Sequence, residues 1–413
     1  MAIIRPFKAL RPPRELAAKV AALPYDVMNV EEARAMAAGN PESFLHVSRP
    51  EIDLPPEIDP HAEPVYVQGR RNLEEFIRRG VLVQDGQECF YVYRQRMGGI
   101  TQTGLVVCAG VDDYQSGVIK KHELTRADKE EDRVRHIDLL DANDEPVFYL
   151  SRSCAEVEGI IEGVTNAPPE YDFTADDGIG HTLWTIGDQA LIGRLIELFA
   201  AIPRLYVADG HHRSAAAGRV RELRRAQNPT HGGEEEYNYF LTVIFPENQL
   251  NIMPYNRVVK DLNGHSVAGL IARLEAAFEV VPSTVPVAPA ARHHFGMYLD
   301  GRWYHLHARP GIVDESDTVG RLDVSILQNH LLDPLLGIEN PRTDQRIHFV
   351  GGIRGIQELV RLVDSGQYAV AFSLHPTTIR ELTELADQDQ IMPPKSTWFE
   401  PKLRSGLFVH LLS

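Results

Sequence analysis

The chain has 413 residues, enough for two or three domains, with 43% hydrophobic residues and no extended low-complexity tract, which excludes a disordered protein. A formal charge of −16 argues against a nucleic-acid partner, which would require a collected basic surface; only short runs such as RVRELRR (219 to 225) point the other way. The three cysteines, Cys89, Cys108 and Cys154, lack CxxC spacing and read as buried thiols of a reducing compartment, and no apolar stretch reaches the roughly 18 residues of a membrane helix, so a soluble, cytoplasmic protein with no membrane partner is expected.

In chain order, PYDVMNVEEARAMAAGN predicts a turn at Pro24 to Asp26 and a helix opened by Asn29 and stopped at Gly39, followed by a strand SFLHV. EIDLPPEIDPHAEP (51 to 64) reads as an acidic, proline-rich loop, and the helix after it ends near Gly80. ECFYVYRQRMGGITQTGLVVCAGV alternates around a Gly-Gly turn and predicts a β-hairpin. A charged helix is expected from about Arg126 to Leu140, capped by Thr125, and a strand after it. HTLWTIGDQALIGRLIELFAAI adds a hairpin arm and a helix; RLYVADGHHRSAAAG reads strand, tight turn, helix; YNYFLTVIFPENQLNIMPYNRVV gives two strands about a Pro-Glu-Asn turn. From about Asp261 the order becomes helix, hairpin with Asp300-Gly301 at its turn, helix, strand, helix, strand, helix. The expected class is α/β with mixed α+β sheets: an N-terminal region over 1–260 and a second, smaller α/β domain over 261–413, closed by the segment 391–413.

Asp209-Gly210-His211-His212-Arg213 sits where a buried strand meets a helix. Such a junction aims backbone N–H groups and the positive end of the helix dipole at one point, which makes an anion site. Gly210 permits positive φ and close approach of a ligand, and Arg213 offers a planar fork of donors for a phosphate edge. His211 and His212 add donors, or one of them acts as acid or base; Asp209 holds a magnesium ion or accepts a hydroxyl proton. Taken singly each residue has a plainer reading, with Asp209 as helix N-cap, one histidine in the core and Arg213 on a surface carboxylate. Zinc is disfavoured, because adjacent helical histidines point about 100° apart and neither HExxH nor CxxC occurs.

Other stretches offer supporting groups. Lys121, His122 and Glu123 precede a helix, where side chains face a cleft, and Glu123 suits a general base or an ammonium ligand. Lys129, Asp132, Arg133 and His136 form one stripe, either a solvated face braced by ion pairs or a cleft lining. Asp26 sits in a turn, as an Asx-turn residue or a substrate or metal ligand. In PPKSTWFEPKLRSGL, Lys395 and Lys402 flank an aromatic pair in a proline-stiffened segment that suits either a phosphate clamp or a docked chain end. A GxxxxGKS loop, a strand-led GxGxxG and a GxSxG elbow are all absent.

RPFKALRP, PYDVM, KHELTRADKEEDR, VADGHHRSAAA and PPKSTWFEPKLRSGL together resemble, over essentially the whole chain, the bacterial and archaeal family called domain of unknown function 1015 (DUF1015). Some of its members carry names tying them to the chromosome-partitioning protein ParB, and the Asp-Gly-His-His-Arg motif is similar to the phosphate-binding motif of the ParB and sulfiredoxin superfamily. The resemblance implies a ParB/sulfiredoxin-like nucleotide-binding core. Free serine kinases of that superfamily resemble this site most, which implies a kinase (phosphotransferase) using ATP or ADP and Mg2+ on a small hydroxyl-bearing metabolite such as a free amino acid. In that expectation Asp209, His212 and Glu123 are catalytic, with Glu123 placed as the upstream glutamate by conjecture. Gly210, His211, Arg213, Lys395 and Lys402 bind phosphate, Asp26, His122 and Arg133 bind substrate, and Asp209 also holds the metal. The other readings are a nucleotide-sensing regulator without turnover and a phosphate-ester hydrolase; a homodimer stays open.

Overall fold

The computed structural model describes residues 1–413 and divides into two units, Met1–Leu250 with Pro401–Ser413, and Asn251–Glu400. The first is built on a nine-stranded mixed sheet. From one edge its strands run Ile119–Lys120, Leu205–Asp209, Val147–Ser151, Tyr239–Pro246, Ile100–Gly110, Phe90–Met97, Gly180–Ile186 and Tyr171–Thr174, with Ile4–Arg5 also paired to Ile100–Gly110. Leu205–Asp209 is parallel to Ile119–Lys120 and antiparallel to Val147–Ser151. The register slips by one residue between Val207 and Asp209, a bulge of the kind that re-aims a strand's last side chain.

The predicted Gly-Gly hairpin forms, with Met97 opposite Ile100, and the 29–39 helix is closed by a full capping box between Asn29 and Glu32. SFLHV is not a strand: Leu45–Ser48 is one helical turn, and Phe44, Leu45 and Val47 bury in a core shared with Leu73, Phe76 and Leu140. An apolar run buried on all sides carries no period that separates strand from helix. Helix Ala127–Leu140 forms but Thr125 does not cap it; Arg126 holds the N-cap position and Thr125 Oγ1 donates to Glu130 Oε2 at 2.8 Å.

Helices Ala127–Leu140 and His211–Gln227 pack through Val134 and Ile137 against Ala216 and Val220. Asp132, Arg133 and His136 are buried as well, so the stripe, apart from the half-buried Lys129, is not a solvated face. Asp132 is satisfied by Tyr66 Oη at 2.8 Å and by both Nε and Nη2 of Arg133.

The second unit holds a six-stranded antiparallel sheet in the order Phe278–Ser283, Arg302–Ala308, His294–Leu299, Val370–Leu374, Tyr255–Val259, Ile347–Gly351. Helix Ile356–Asp364 packs Leu359 and Leu362 against Val258, Tyr298 and Trp303. The break falls between Leu250 and Asn251, not at 260, because Tyr255–Val259 pairs entirely inside this sheet. The closing segment is likewise split. Trp398–Phe399 pairs with Ile252–Met253 in the second unit, whereas Pro401–Ser413 belongs to the first, where Val409 pairs with Leu10 and His410 with Asn143.

Candidate anion site at the strand-to-helix turn

Strand Leu205–Asp209 buries its apolar residues and hands over at Gly210 to helix His211–Gln227. Gly210 has φ +95°, which calls for glycine, and a Cβ there would also sit tightly, 3.1 Å from Val147 Cγ1 and 3.2 Å from Arg213 Nε and Nη2. No side chain caps this helix; the N-cap is Gly210, not Asp209. The positive end of the helix dipole therefore meets no capping side chain at the turn.

Asp209 Oδ1 accepts from the Gly210 N–H at 2.8 Å, and its Oδ2 pairs with Lys402 Nζ at 2.8 Å. Burial alone would raise this carboxyl; the charges of Lys402 and Arg213 outweigh it and hold Asp209 well below the usual range. Asp209 is thus a weak base, suited to orienting a hydroxyl or facing a cation more than to taking a proton. Because its folded value is depressed, the pair's stabilisation is present above the ordinary Asp value of 3.8 and is lost as pH falls through the folded value. Lys402→Met is expected to cost about 1.5–3 kcal/mol at pH 7 and progressively less as pH falls below 3.8 toward the folded value. Thermal melts of both proteins across that range measure it.

The parallel pairing of Ile119–Lys120 on Leu205–Tyr206 carries residues 121–126 alongside the turn. The ring of His122 meets that of His211 edge-on, centroids 4.4 Å apart, and the Arg126 N–H donates to His212 Nε2 at 3.1 Å. Glu123 lies on the chain between these two contacts. Burial pulls His122 down to about 4, and burial with His122 beside it keeps His211 low too, so both rings are neutral at pH 7 and act as hydrogen-bonding groups, not cations. His211 Nε2 is buried without a hydrogen-bond partner.

Arg213 is buried and donates through Nη1 to Pro146 O at 2.6 Å. Burial opposes its charge, but Glu145, Asp26 and Asp209 together raise its pKa. Arg133 stacks over the Tyr25 ring at 4.0 Å and leaves Nη1 buried without a hydrogen-bond partner. Asp26 thus joins Arg213, Arg133 and Glu145 from the 3-10 turn Tyr25–Val27, where the sequence predicts a turn at Pro24 to Asp26.

Sequence reasoning missed Asp144 and Glu145. Glu145 Oε1 accepts from the Tyr25 N–H at 3.0 Å and from Ser405 Oγ at 2.9 Å, and Asp144 Oδ2 faces His136 Nε2 at 2.9 Å. Their signal is Asp-Glu-Pro immediately before the wholly buried strand Val147–Ser151, two carboxylates where only apolar residues would be expected. Lys395 belongs to the second unit, where its Nζ lies 5.6 Å from the Tyr255 ring centre and its carbonyl accepts from Arg257 Nη2 at 2.9 Å. Lys402, in the first unit, is at the turn. No three His, Cys, Asp or Glu side chains gather into a metal cage. A magnesium ion here would fit only as one held mainly by phosphate oxygens, with Asp209 as its single protein carboxylate.

Three solved structures are distantly similar. A conserved hypothetical protein from Pyrococcus furiosus is 14% identical, with 75% of this chain and 95% of that one covered and a TM-score of 0.36. A free serine kinase in complex with AMP is 12% identical over 74% and 91%, with a TM-score of 0.36. SbnI with C-terminal truncation from Staphylococcus aureus is 12% identical over 74% and 87%, with a TM-score of 0.39. No curated protein matches the chain in sequence. The family model described as protein of unknown function (DUF1015) matches residues 4–325, well over half the length, and the chain belongs to that family.

Proposed function

We propose that the chain binds a nucleotide at the Gly210–Arg213 turn and transfers a phosphoryl group to a small hydroxyl-bearing metabolite such as a free amino acid. The observation that carries this reading is the uncapped helix start at Gly210, ringed by the cations Arg213 and Lys402. Phosphoryl transfer needs positioning and charge stabilisation more than covalent chemistry, and this ring supplies both. The phosphates rest on the helix N-terminus, with Arg213 and Lys402 on their oxygens. Asp209 orients the hydroxyl. Its oxygen forms the new O–P bond as the old one breaks, the electron pair leaves on the nucleotide, and the hydroxyl proton passes to Glu123. His212, within the same turn, donates to the moving phosphoryl group. Magnesium, when bound with the nucleotide, neutralises phosphate charge.

The test is a thermal-shift series with ATP, ADP and AMP, with and without magnesium, followed by phosphorus NMR of mixtures with small hydroxy acids. A nucleotide at a hundredfold its Kd should add about 2.7 kcal/mol, and Arg213→Lys should lose most of it. If no nucleotide moves the melting point, the reading is wrong.

A further inference from the structure

Behind the turn, five segments meet on one buried carboxyl group. Glu145, 4% exposed, is held at Oε1 by the Tyr25 N–H and by Ser405 Oγ of the C-terminal strap. A cavity of about 10 Å3, room for one water-sized group, opens among Arg133, His136, Asp144, Glu145, Val147 and Arg213. Arg133 Nη1, buried and without a hydrogen-bond partner, belongs to the same cluster. Two guanidinium groups and two carboxyls therefore share one water-poor space, where charge interactions are strong.

We propose that Glu145 is a positioning residue of the anion site: by holding or releasing one proton it decides whether Arg213 and Arg133 keep their charge for an incoming phosphate or share it with a neighbouring carboxylate. The inference rests on the anion site of the proposed function. It names the group that tunes that site, which is neither Asp209 nor Glu123.

The surroundings place this proton exchange near neutrality. Burial raises Glu145 first, the Asp144 carboxylate second, and Asp26 adds to them; Arg213 and Arg133 pull the other way, and the balance leaves it pushed up to about 7. Asp144 itself would be raised by burial, but His136 beside it and Arg133 hold it low, so the fixed negative charge sits on Asp144 and the mobile proton on Glu145. From the N-terminal turn Tyr25 and Asp26 face the group, from helix Ala127–Leu140 Arg133 and His136, from its own segment Asp144, from helix His211–Gln227 Arg213, and from the strap the uncharged Ser405. Below the transition Glu145 is neutral and draws on neither arginine's charge. Above it the carboxylate competes with the ligand for them, so anion affinity falls as pH rises.

The experiment measures dissociation constants for sulfate, which stays doubly charged across the range, and for ADP, from pH 5.5 to 8.5, in the natural chain and in Glu145→Gln. Glutamine keeps an acceptor for Tyr25 and Ser405 but cannot titrate. The natural chain should bind sulfate several-fold more weakly at pH 8.5 than at pH 5.5, within the tenfold per pH unit that one proton allows. Glu145→Gln should bind with a flat profile. The phosphates of ADP titrate in this range too, so for ADP the difference between the two proteins is the quantity read. Should Glu145→Gln fail to fold, Asp144→Asn serves instead: it removes a charge that raises Glu145, and the fall in affinity should then begin at lower pH. Sulfate that follows this pattern while ADP does not bind upholds the role of Glu145 and removes the nucleotide reading. Equal slopes in both proteins, or no sulfate binding at any pH, overturn the inference.

Discussion

Replacing Arg213 with alanine is expected to remove about 3–5 kcal/mol of folding stability along with the response to nucleotide, the larger effect of any single change at the turn. The side chain is 7% exposed, and Glu145, Asp26 and Asp209 all act on its charge. Without it Asp209 keeps Lys402, but Glu145 is left with Arg133 as its compensating charge. Pro146 O also loses its 2.6 Å donor, and an unpaired buried acceptor costs about 1–3 kcal/mol by itself. Arg213→Lys keeps the charge and should recover part of that stability, yet its single ammonium cannot reproduce the planar fork on a phosphate edge. Denaturant midpoints for the three proteins at equal m-value measure the first effect, and nucleotide-induced shifts the second. A loss below 1 kcal/mol in Arg213→Ala, with the nucleotide shift kept, would remove Arg213 from both roles.

The turn around Gly210 was legible because its determinants are local. An apolar run, Asp-Gly and a row of small helix formers specify strand, turn and helix within about twenty residues, and the structure opens the helix at His211. The Asn29 capping box and the Gly-Gly hairpin are local in the same sense. What stayed hidden depends on distance along the chain. Lys402 lies 193 residues from Asp209 and Ser405 lies 260 from Glu145, and no periodicity encodes either pairing. Asp132, Arg133 and His136 carry the composition of a solvated face, and only the packing of a second helix and the Tyr66 hydroxyl make their burial tolerable. The insertion of residues 251–400 ahead of the strap is illegible for a related reason: IMPYNRVV is a good strand sequence whichever sheet receives it.

The C-terminal strap, residues 401–413, should also transmit damage to the anion site that it helps to build. Gly406 has φ +83°, and a Cβ there would lie 2.6 Å from both Cβ and Cγ of Phe44, a fully buried ring in the first unit's core. Those are the atoms nearest the Phe44 backbone, so the ring cannot swing aside to relieve the overlap. Gly406→Ala is therefore expected to cost about 1–2 kcal/mol for the left-handed backbone and about 1–3 for overpacking, roughly 2–5 kcal/mol together. Leu407, Phe408 and Val409 follow directly and are almost wholly buried, with Phe408 against Tyr91 at 5.3 Å. Ser405, one residue before, pairs backbone to backbone with Ala22. A strap lifted at 406 thus pulls on Ser405, which holds Glu145, and on Lys402, which holds Asp209. Nucleotide stabilisation should weaken in Gly406→Ala although no residue facing the ligand has changed. A double-mutant cycle with Phe44→Ala separates steric cause from simple loss of stability. Removing the ring should make the added methyl at 406 less costly by more than 0.5 kcal/mol and should restore part of the nucleotide response. Additive costs would show that the Phe44 ring is not the obstacle, the overlap then lying with the Cβ that alanine retains, and an unaltered nucleotide response in Gly406→Ala would show that the strap does not set the positions of Lys402 and Ser405.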